Sequence, residues 1–257
     1  MGRKLARVRA VAGCVLLAAL LAGCAGIEPG RRIDSERLLN AIVADDVDYV
    51  RAAIKAGAAS PNQRIPAPGY REGTPLLTIA ARSASLSVLR YLIGAGANLN
   101  ARSPADETAL MLASFFMDDQ GFLGASSYDR HEQAARMLVA AGADLESAPY
   151  GYTALSYAAY QGRDRTVRFL IERGARVDGT AQDGVSYIPT PLMMAAIMGN
   201  QKAALWLLRS GANARIRVYQ GHTARELAAK YNQTHLAPAL VCAERLAPGE
   251  SFSRRCE

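Results

Sequence analysis

The chain has 257 residues, half of them hydrophobic, so it is long enough to bury a sizeable core and form one extended domain. Its formal charge of +7 at first favours an acidic partner. Four of the basic residues lie within the first 23, however, and without them 26 basic residues face 23 acidic ones. This is an ordinary surface balance, and no basic cluster is interleaved with aromatic residues as nucleic-acid binding would require.

The N-terminus has the order of a secretory signal. A basic segment over residues 1–9 precedes an apolar core over 11–22, which ends in Leu21-Ala22-Gly23-Cys24. An apolar stretch this short, closed by small residues, is typical of a signal peptide rather than of a membrane-spanning helix. We therefore predict a signal peptide over 1–23 and a tether over 24–33.

Leu21-Ala22-Gly23-Cys24 resembles the lipobox of bacterial lipoproteins, which implies cleavage before Cys24 and acylation of that cysteine. Two or more acyl chains give a stable membrane anchor. By the same resemblance, Ala25 is not the aspartate that retains lipoproteins in the inner membrane, so we expect an outer-membrane protein that faces the periplasm. Ordinary cleavage, which would release a soluble periplasmic protein, is the alternative.

The rest of the chain repeats one sequence pattern. Two short helices are predicted over 35–44 and 47–55, and five segments that begin with threonine follow. Those threonines are Thr74, Thr108, Thr153, Thr190 and Thr223. Threonine caps a first helix, Ala-Ala pairs allow close helix packing, and a glycine ends a second helix in the left-handed conformation. The glycines are Gly57, Gly96, Gly142, Gly174 and Gly211.

The spacing is 33 residues from Thr190 to Thr223 and 32 from Gly142 to Gly174. In the length of the repeat and in its sequence motif, the chain resembles the ankyrin repeat. The resemblance implies an all-α solenoid of about six helix-turn-helix repeats with hairpin fingers, which we place over residues 34–240. The first repeat lacks the threonine start, as a terminal repeat can. The second helix of the last repeat is expected to be short, around His235–Leu240, with a C-terminal tail over 241–257.

The repeats depart from the family text in two places. The usual histidine of the start motif is replaced by Leu77, Met111, Ser156, Met193 and Glu226, so we expect its helix-capping role to be lost. Repeat three carries an insert near Met117–Tyr128, where Gly124–Ser127 has the composition of a loop. Long loops are usually functional or disordered, and both alternatives stay open.

Cleavage removes Cys14 and acylation occupies Cys24, so only Cys242 and Cys256 remain as thiols. In an oxidising compartment they predict a disulfide that fastens the tail to the last repeat; two free thiols are the alternative.

No catalytic constellation is found. His131, His222 and His235 lie in different repeats without metal-ligand spacing, and we expect no cofactor, no metal and no small-molecule substrate. A hydrolase could use only Asp118 and Asp119 of the insert.

The second helices carry an arginine stripe, Arg51, Arg90, Arg136 and Arg168, predicted to be a solvated convex face. The next position holds Tyr91, Met137, Phe169 and Trp206, which should pack between repeats, with the single tryptophan in the core.

By resemblance, ankyrin arrays bind partners with their fingertips and the inner face of their first helices. Tyrosine and methionine are enriched at such interfaces. The predicted fingertip residues are Tyr70, Tyr150, Tyr152, Tyr187 and Tyr219; those at the ends of first helices are Phe115, Phe116, Tyr160, Met198 and Tyr231. Local packing of some of these rings is the alternative.

We therefore expect a lipid-anchored periplasmic scaffold that binds an unidentified protein and no nucleic acid. An immunity-type inhibitor of a toxin is a sharper form of this hypothesis. A structural or stress-related envelope protein that docks on an envelope enzyme is the alternative.

Overall fold

The computed structural model describes residues 33–67, 70–115, 124–148, 151–181, 185–218, 221–247 and 249–257. Within these ranges the helices follow one another in six pairs. The pairs are α1 Ser35–Val43 and α2 Val47–Lys55; α3 Leu76–Arg82 and α4 Leu86–Gly94; α5 Ala109–Ser114 and α6 Gly124–Ala140; α7 Ala154–Tyr160 and α8 Asp164–Glu172; α9 Pro191–Met198 and α10 Gln201–Arg209; α11 Ala224–Lys230 and α12 Ala237–Arg245. This is the helix-turn-helix solenoid that the repeated text predicts.

Short strands stiffen the two longer fingers. In the first, β1 Arg64–Ala67 pairs antiparallel with β2 Tyr70–Pro75. In the second, β3 Val185–Ser186 pairs in parallel with β4 Arg217–Val218 of the following finger. A 3₁₀ turn, Thr234–Leu236, precedes α12, and a short helix, α13 Phe252–Arg255, ends the chain.

The helices form two rows that share one core. The first helices of neighbouring repeats contact one another in the order α1, α3, α5, α7, α9, α11, and the second helices do so from α2 to α10. The Ala-Ala pairs of α3, α7 and α9 are fully buried where the rows meet. Their small side chains let the helices approach closely, so each repeat buries against its neighbours the apolar face that it cannot bury alone.

The capping prediction needs correction. Thr108, Thr153, Thr190 and Thr223 each accept a hydrogen bond from the backbone N–H three residues on. In return, each threonine N–H donates to the side chain at that third position. The distances are 3.3 Å to Met111 Sδ, 3.3 Å to Ser156 Oγ, 3.4 Å to Met193 Sδ and 2.8 Å to Glu226 Oε2. In these four repeats the role expected to be lost with the histidine is therefore kept by sulfur, hydroxyl and carboxylate acceptors. In the second repeat it is lost as expected, because Leu77 offers no acceptor and the helix that follows Thr74 has no side-chain cap.

Two helix boundaries also differ from the sequence-based expectation. Gly124–Ser127, predicted to be loop, forms the start of α6. The second helix of the last repeat is not shortened: α12 runs to Arg245, beyond the predicted repeat boundary at residue 240. Pro238 occupies the first turn of that helix, which proline tolerates.

None of the helices in the described ranges combines the length and apolar character that a membrane crossing requires.

Candidate protein-interaction surface

An aromatic cluster lies on the inner face of the array. Phe115 is the C-cap of α5, and Tyr157 and Tyr160 belong to α7 of the next repeat. The ring centroids of Phe115 and Tyr157 are 5.1 Å apart with planes inclined at 81°, while Phe115 and Tyr160 are offset-stacked at 6.2 Å. Both are favourable aromatic arrangements, so the three rings support one another in defined positions.

These rings line a groove of about 320 Å³, which we call the aromatic groove. Its other described lining residues are Tyr152, Met194 and Glu107. All six residues are partly exposed. Burial raises the pKa of the Tyr152 phenol, so this hydroxyl is neutral at physiological pH and available for hydrogen bonding. The groove thus offers apolar ring surface together with a few polar groups, as binding sites do.

The next repeat holds the end of α7 in place. The side-chain amide of Asn200 donates to the carbonyl oxygens of Ala159 at 2.9 Å and Tyr160 at 2.7 Å. Two histidines sit comparably in other repeats: His131 Nε2 lies 3.0 Å from the carbonyl oxygen of Arg82, and His235 Nε2 lies 3.0 Å from that of Gly199. Polar side chains of one repeat therefore contact the carbonyls at the first-helix end of the previous repeat.

The structure brings together three of the predicted binding residues, Phe115, Tyr152 and Tyr160. It places others elsewhere, at the ends of later first helices and on a finger. These are strongly exposed: Met198 at 44%, Tyr231 at 50% and Tyr187 at 84%. Cys24, Phe116, Tyr150, Tyr219, Asp118 and Asp119 lie outside the described residues, and of Tyr70 only the backbone, in β2, is described.

Sequence reasoning missed Tyr157 and Met194. Both follow the capping threonine of their repeat by four positions, at Thr153 and Thr190. Residues three or four apart on a helix share one face. Tyr157 and Met194 therefore lie on the same face of their helices as the capping threonine and the residue at the helix end. The signal was present in the sequence.

The arginine stripe is more than a solvated face. Each stacked arginine reaches the ring of the following repeat: Arg51 over Tyr91 at 5.6 Å, Arg136 over Phe169 at 4.3 Å and Arg168 over Trp206 at 5.0 Å. Arg90 is exposed, and the corresponding position of its next repeat is Met137. Trp206 packs against the hydrophobic core as expected, but it is partly exposed beneath Arg168 and Arg209.

The C-terminal tail folds back on the last two repeats. A disulfide joins Cys242 of α12 to Cys256, with Cα atoms 5.8 Å apart. Phe252 is only 3% exposed, and Arg209 Nε donates to Glu257 Oε1 at 2.7 Å. The structure thus contains the pairing that the sequence predicts.

In the described part of the chain, no group of three or more His, Cys, Asp or Glu side chains is placed to hold a metal ion.

Two family models match the chain. The model for ankyrin repeats in three copies matches residues 77–183, and the single ankyrin-repeat model matches residues 190–218. Together they cover more than half of the chain, which therefore belongs to the ankyrin-repeat family. Repeats of this family are in general non-catalytic modules for binding proteins, and solenoids of this kind use their extended concave surface.

The structure resembles the crystal structure of an ankyrin repeat domain from Acinetobacter baumannii AYE. The TM-score is 0.63 at 27% sequence identity, over 82% of this chain and 98% of that one. A stretch of 112 residues, 44% of this chain, is 30% identical to a transient receptor potential cation channel subfamily A member 1 homolog from Caenorhabditis elegans. It spans only 8% of that protein, so the similarity concerns one segment of the channel homolog.

Proposed function

We propose that this protein is a lipid-anchored periplasmic scaffold that binds another protein through the concave face of its ankyrin array. The observation that carries the binding proposal is the aromatic groove. Phe115, Tyr157 and Tyr160 are held against one another at 5.1 and 6.2 Å, yet all three remain partly exposed. Aromatic side chains that stay partly exposed in a groove are the kind that dominate protein interfaces.

The groove is also preorganised. Tyr160 ends a helix whose terminal carbonyls are bound by Asn200, and Phe115 follows a helix capped by Thr108. Aromatic side chains have few rotatable bonds, and these are already restrained by ring contacts. A partner therefore loses little affinity to the ordering of this surface.

The periplasmic location rests on chain chemistry. The signal pattern over residues 1–23 and the lipobox at Cys24 support export and acylation. A disulfide between Cys242 and Cys256 is compatible with an oxidising compartment, because thiols are kept reduced in the cytosol. Incorporation of labelled palmitate into the wild-type protein, absent from Cys24→Ser, tests the anchor; equal labelling of both would refute it.

Within this proposal, an immunity-type inhibitor that blocks a toxin in the periplasm is the narrower form. A rigid concave face with aromatic anchors suits tight binding of one folded partner. Protection of cells by the wild type, lost in a groove variant, would separate this form from docking on an envelope enzyme.

The binding test is capture from envelope extract by protein that begins after Cys24. Wild type is compared with a Phe115→Ala/Tyr160→Ala variant and with a matched control, Arg90→Ala, on the exposed convex face. We expect one partner to be captured by wild type and control but lost from the groove variant, provided that circular dichroism shows equal helicity. Equal capture by all three would move the interface away from the groove.

A further inference from the structure

A second cavity lies on the inner face, towards the N-terminal end of the array. It has a volume of about 220 Å³, and we call it the threonine pocket. Its walls come from three first helices, α1, α3 and α5, and from strand β1 of the first finger. Helix α5 contributes Leu112 to this pocket and is followed by Phe115 of the aromatic groove. The two cavities therefore lie along the same concave surface.

Two buried hydroxyl groups of this pocket lack hydrogen bonds. Thr74 and Thr78 both line it and are each 1% exposed, and within the described part of the chain neither hydroxyl oxygen has a hydrogen-bond partner. The large majority of buried polar side-chain atoms in proteins are paired, because an unpaired one costs free energy. Thr190 begins the same Thr-Pro-Leu motif in a later repeat, and its hydroxyl accepts a hydrogen bond from the N–H of Met193 at 3.3 Å. The second repeat thus keeps two hydroxyls that its own helix does not use.

We infer that the threonine pocket takes a tyrosine side chain from the protein partner, whose phenol hydroxyl pairs with Thr74 and Thr78. This inference rests on the proposed function, because it assigns an occupant to the proposed binding face. Thr74 stands at the start of α3 and Thr78 one turn further on, a spacing that places both side chains on one face of the helix. A phenol hydroxyl donates one hydrogen bond and also accepts, so a single group can bridge the two threonines.

The shape of the pocket allows a ring to enter. Val43 lines it and is 54% exposed, which places this residue at the mouth. Leu39, Ile79 and Leu112 supply apolar walls for the body of a ring. Thr78 lies within α3, where threonine has two common side-chain rotamers, so its hydroxyl can turn towards an occupant.

Other side chains fit this lining less well. Phenylalanine would cover the apolar walls but leave both hydroxyls unpaired. Serine would pair with a hydroxyl but is too small to cover those walls. A carboxylate could accept from both hydroxyls, but its charge would be buried among apolar side chains, which costs more free energy than burying a neutral phenol.

The test uses NMR titration of the soluble protein that begins after Cys24, with the methyl signals of Leu39, Ile79 and Leu112 as the readout. The probes are the N-acetyl amides of tyrosine, phenylalanine and glutamate. We expect the tyrosine amide to shift these signals and to bind about ten-fold more tightly than the phenylalanine amide, because it alone pairs the hydroxyls without burying a charge. Equal binding of tyrosine and phenylalanine, tighter binding of glutamate, or no shift of these methyl signals with any probe would overturn the inference.

Three variants make the result specific. Thr74→Val/Thr78→Val replaces both hydroxyls with methyl groups. It should bring the tyrosine-to-phenylalanine ratio towards one without lowering the urea midpoint of the unliganded protein, because those hydroxyls make no hydrogen bonds there. Thr166→Val, in α8 and outside the pocket, is the matched control and should leave the ratio unchanged. Val43→Asn, at the exposed mouth, should weaken both probes alike. A double valine variant that keeps the tyrosine preference would refute the assignment.

The capture experiment separates the two proposals. A partner that is lost from Phe115→Ala/Tyr160→Ala but retained by Thr74→Val/Thr78→Val with unchanged affinity would support concave-face binding and refute the tyrosine inference. No capture by wild type, together with tyrosine-selective shifts of the pocket methyl signals, would do the reverse.

Discussion

The side-chain amide of Asn200 donates a 2.7 Å hydrogen bond to the carbonyl oxygen of Tyr160, across the boundary between two repeats. The same amide also binds the carbonyl oxygen of Ala159. Helix ends leave carbonyl groups without intrahelical partners, and that of Tyr160 finds its partner in the next repeat. The carbonyl oxygen of Ala159 also accepts from the backbone N–H of Gly162. Repeat stacking and the position of a groove residue are therefore coupled through one side chain.

Asn200→Ala should destabilise the protein. It removes the side-chain donor from the carbonyl of Tyr160, while the carbonyl of Ala159 keeps the N–H of Gly162, and we expect the free energy of unfolding to fall by about 1–3 kcal/mol. Urea unfolding followed by the fluorescence of Trp206, the single tryptophan, measures this. The neighbouring exposed Gln201→Ala is the control and should change stability by about 0.5 kcal/mol or less. Equal stability of both variants would show that the Asn200 contact contributes nothing.

Arg136→Met should cost more stability than Arg90→Met. Arg136 stacks on Phe169, and loss of such a pair costs about 0.5–1 kcal/mol at an exposed site. Arg90 occupies the same register but faces the repeat that carries Met137 in place of a ring. Urea unfolding of the two variants compares them directly. If both lose the same free energy, neither the stacking on Phe169 nor the hydrogen bonds from Arg136 to Glu132 contribute measurably.

Reduction of the disulfide should weaken the C-terminal end. Cys242 and Cys256 are 14 residues apart, and closing a loop of this length stabilises a protein by about 3 kcal/mol in the chain-entropy model. We expect a lower midpoint of thermal unfolding in dithiothreitol. The Cys242→Ser/Cys256→Ser variant should show the lower midpoint with or without the reductant. An unchanged midpoint of the wild type in dithiothreitol, with both thiols shown to be reduced, would contradict this prediction.

Asp178→Asn should remove a loss of stability at rising pH. Burial raises the pKa of the Asp178 carboxyl, and the N–H of Asn213 opposes this only in part by donating to it. The folded state therefore binds a proton more tightly than the unfolded state, so stability falls as pH rises from the ordinary aspartate pKa, about 3.9, through the raised value. Asparagine keeps an acceptor for Asn213 without this dependence. If the free energy of unfolding changes with pH in the same way for variant and wild type, Asp178 is not the group responsible.

Glu226→Gln should remove a contribution to stability with the opposite pH dependence, one that the wild type loses as the pH falls. The N–H of Thr223 donates to the Glu226 carboxylate at 2.8 Å, and this bond is the largest cause of a lowered pKa. The wild type should therefore lose this contribution as pH falls through the lowered folded pKa, having it in full above the ordinary glutamate value. Glutamine keeps an acceptor for the cap but titrates no proton. Unfolding midpoints measured from acid to neutral pH should converge for the two proteins at the acid end.

The features predicted from the sequence are those that depend on residues of a single repeat. Thr190, Pro191 and Gly211 act on their immediate neighbours, so helix starts and ends followed from local chemistry. What escaped prediction depends on two repeats at once. That Asn200 would bind Tyr160, or that Phe115 and Tyr157 would meet, follows from how far one repeat rotates on the next. The start of α6 was missed because serine and glycine have low helix propensity and favour turns.

The convex arginine stacking has a consequence for how this array can change over time. Arg136 and Arg168 occupy the same register position, as do Phe169 and Trp206. Deletion of the whole repeat that carries Phe169 and Arg168 would bring Arg136 to Trp206 and restore the contact. The stacking therefore tolerates loss of the repeat that carries Phe169 and Arg168, whereas loss of the repeat that carries Tyr91 and Arg90 would set Arg51 against Met137. The aromatic groove tolerates no such loss, because Phe115, Tyr157 and Met194 each come from a different repeat, and losing any one would dismantle it. The convex stacking can therefore survive the loss of one particular repeat, whereas the aromatic groove needs all three repeats that form it.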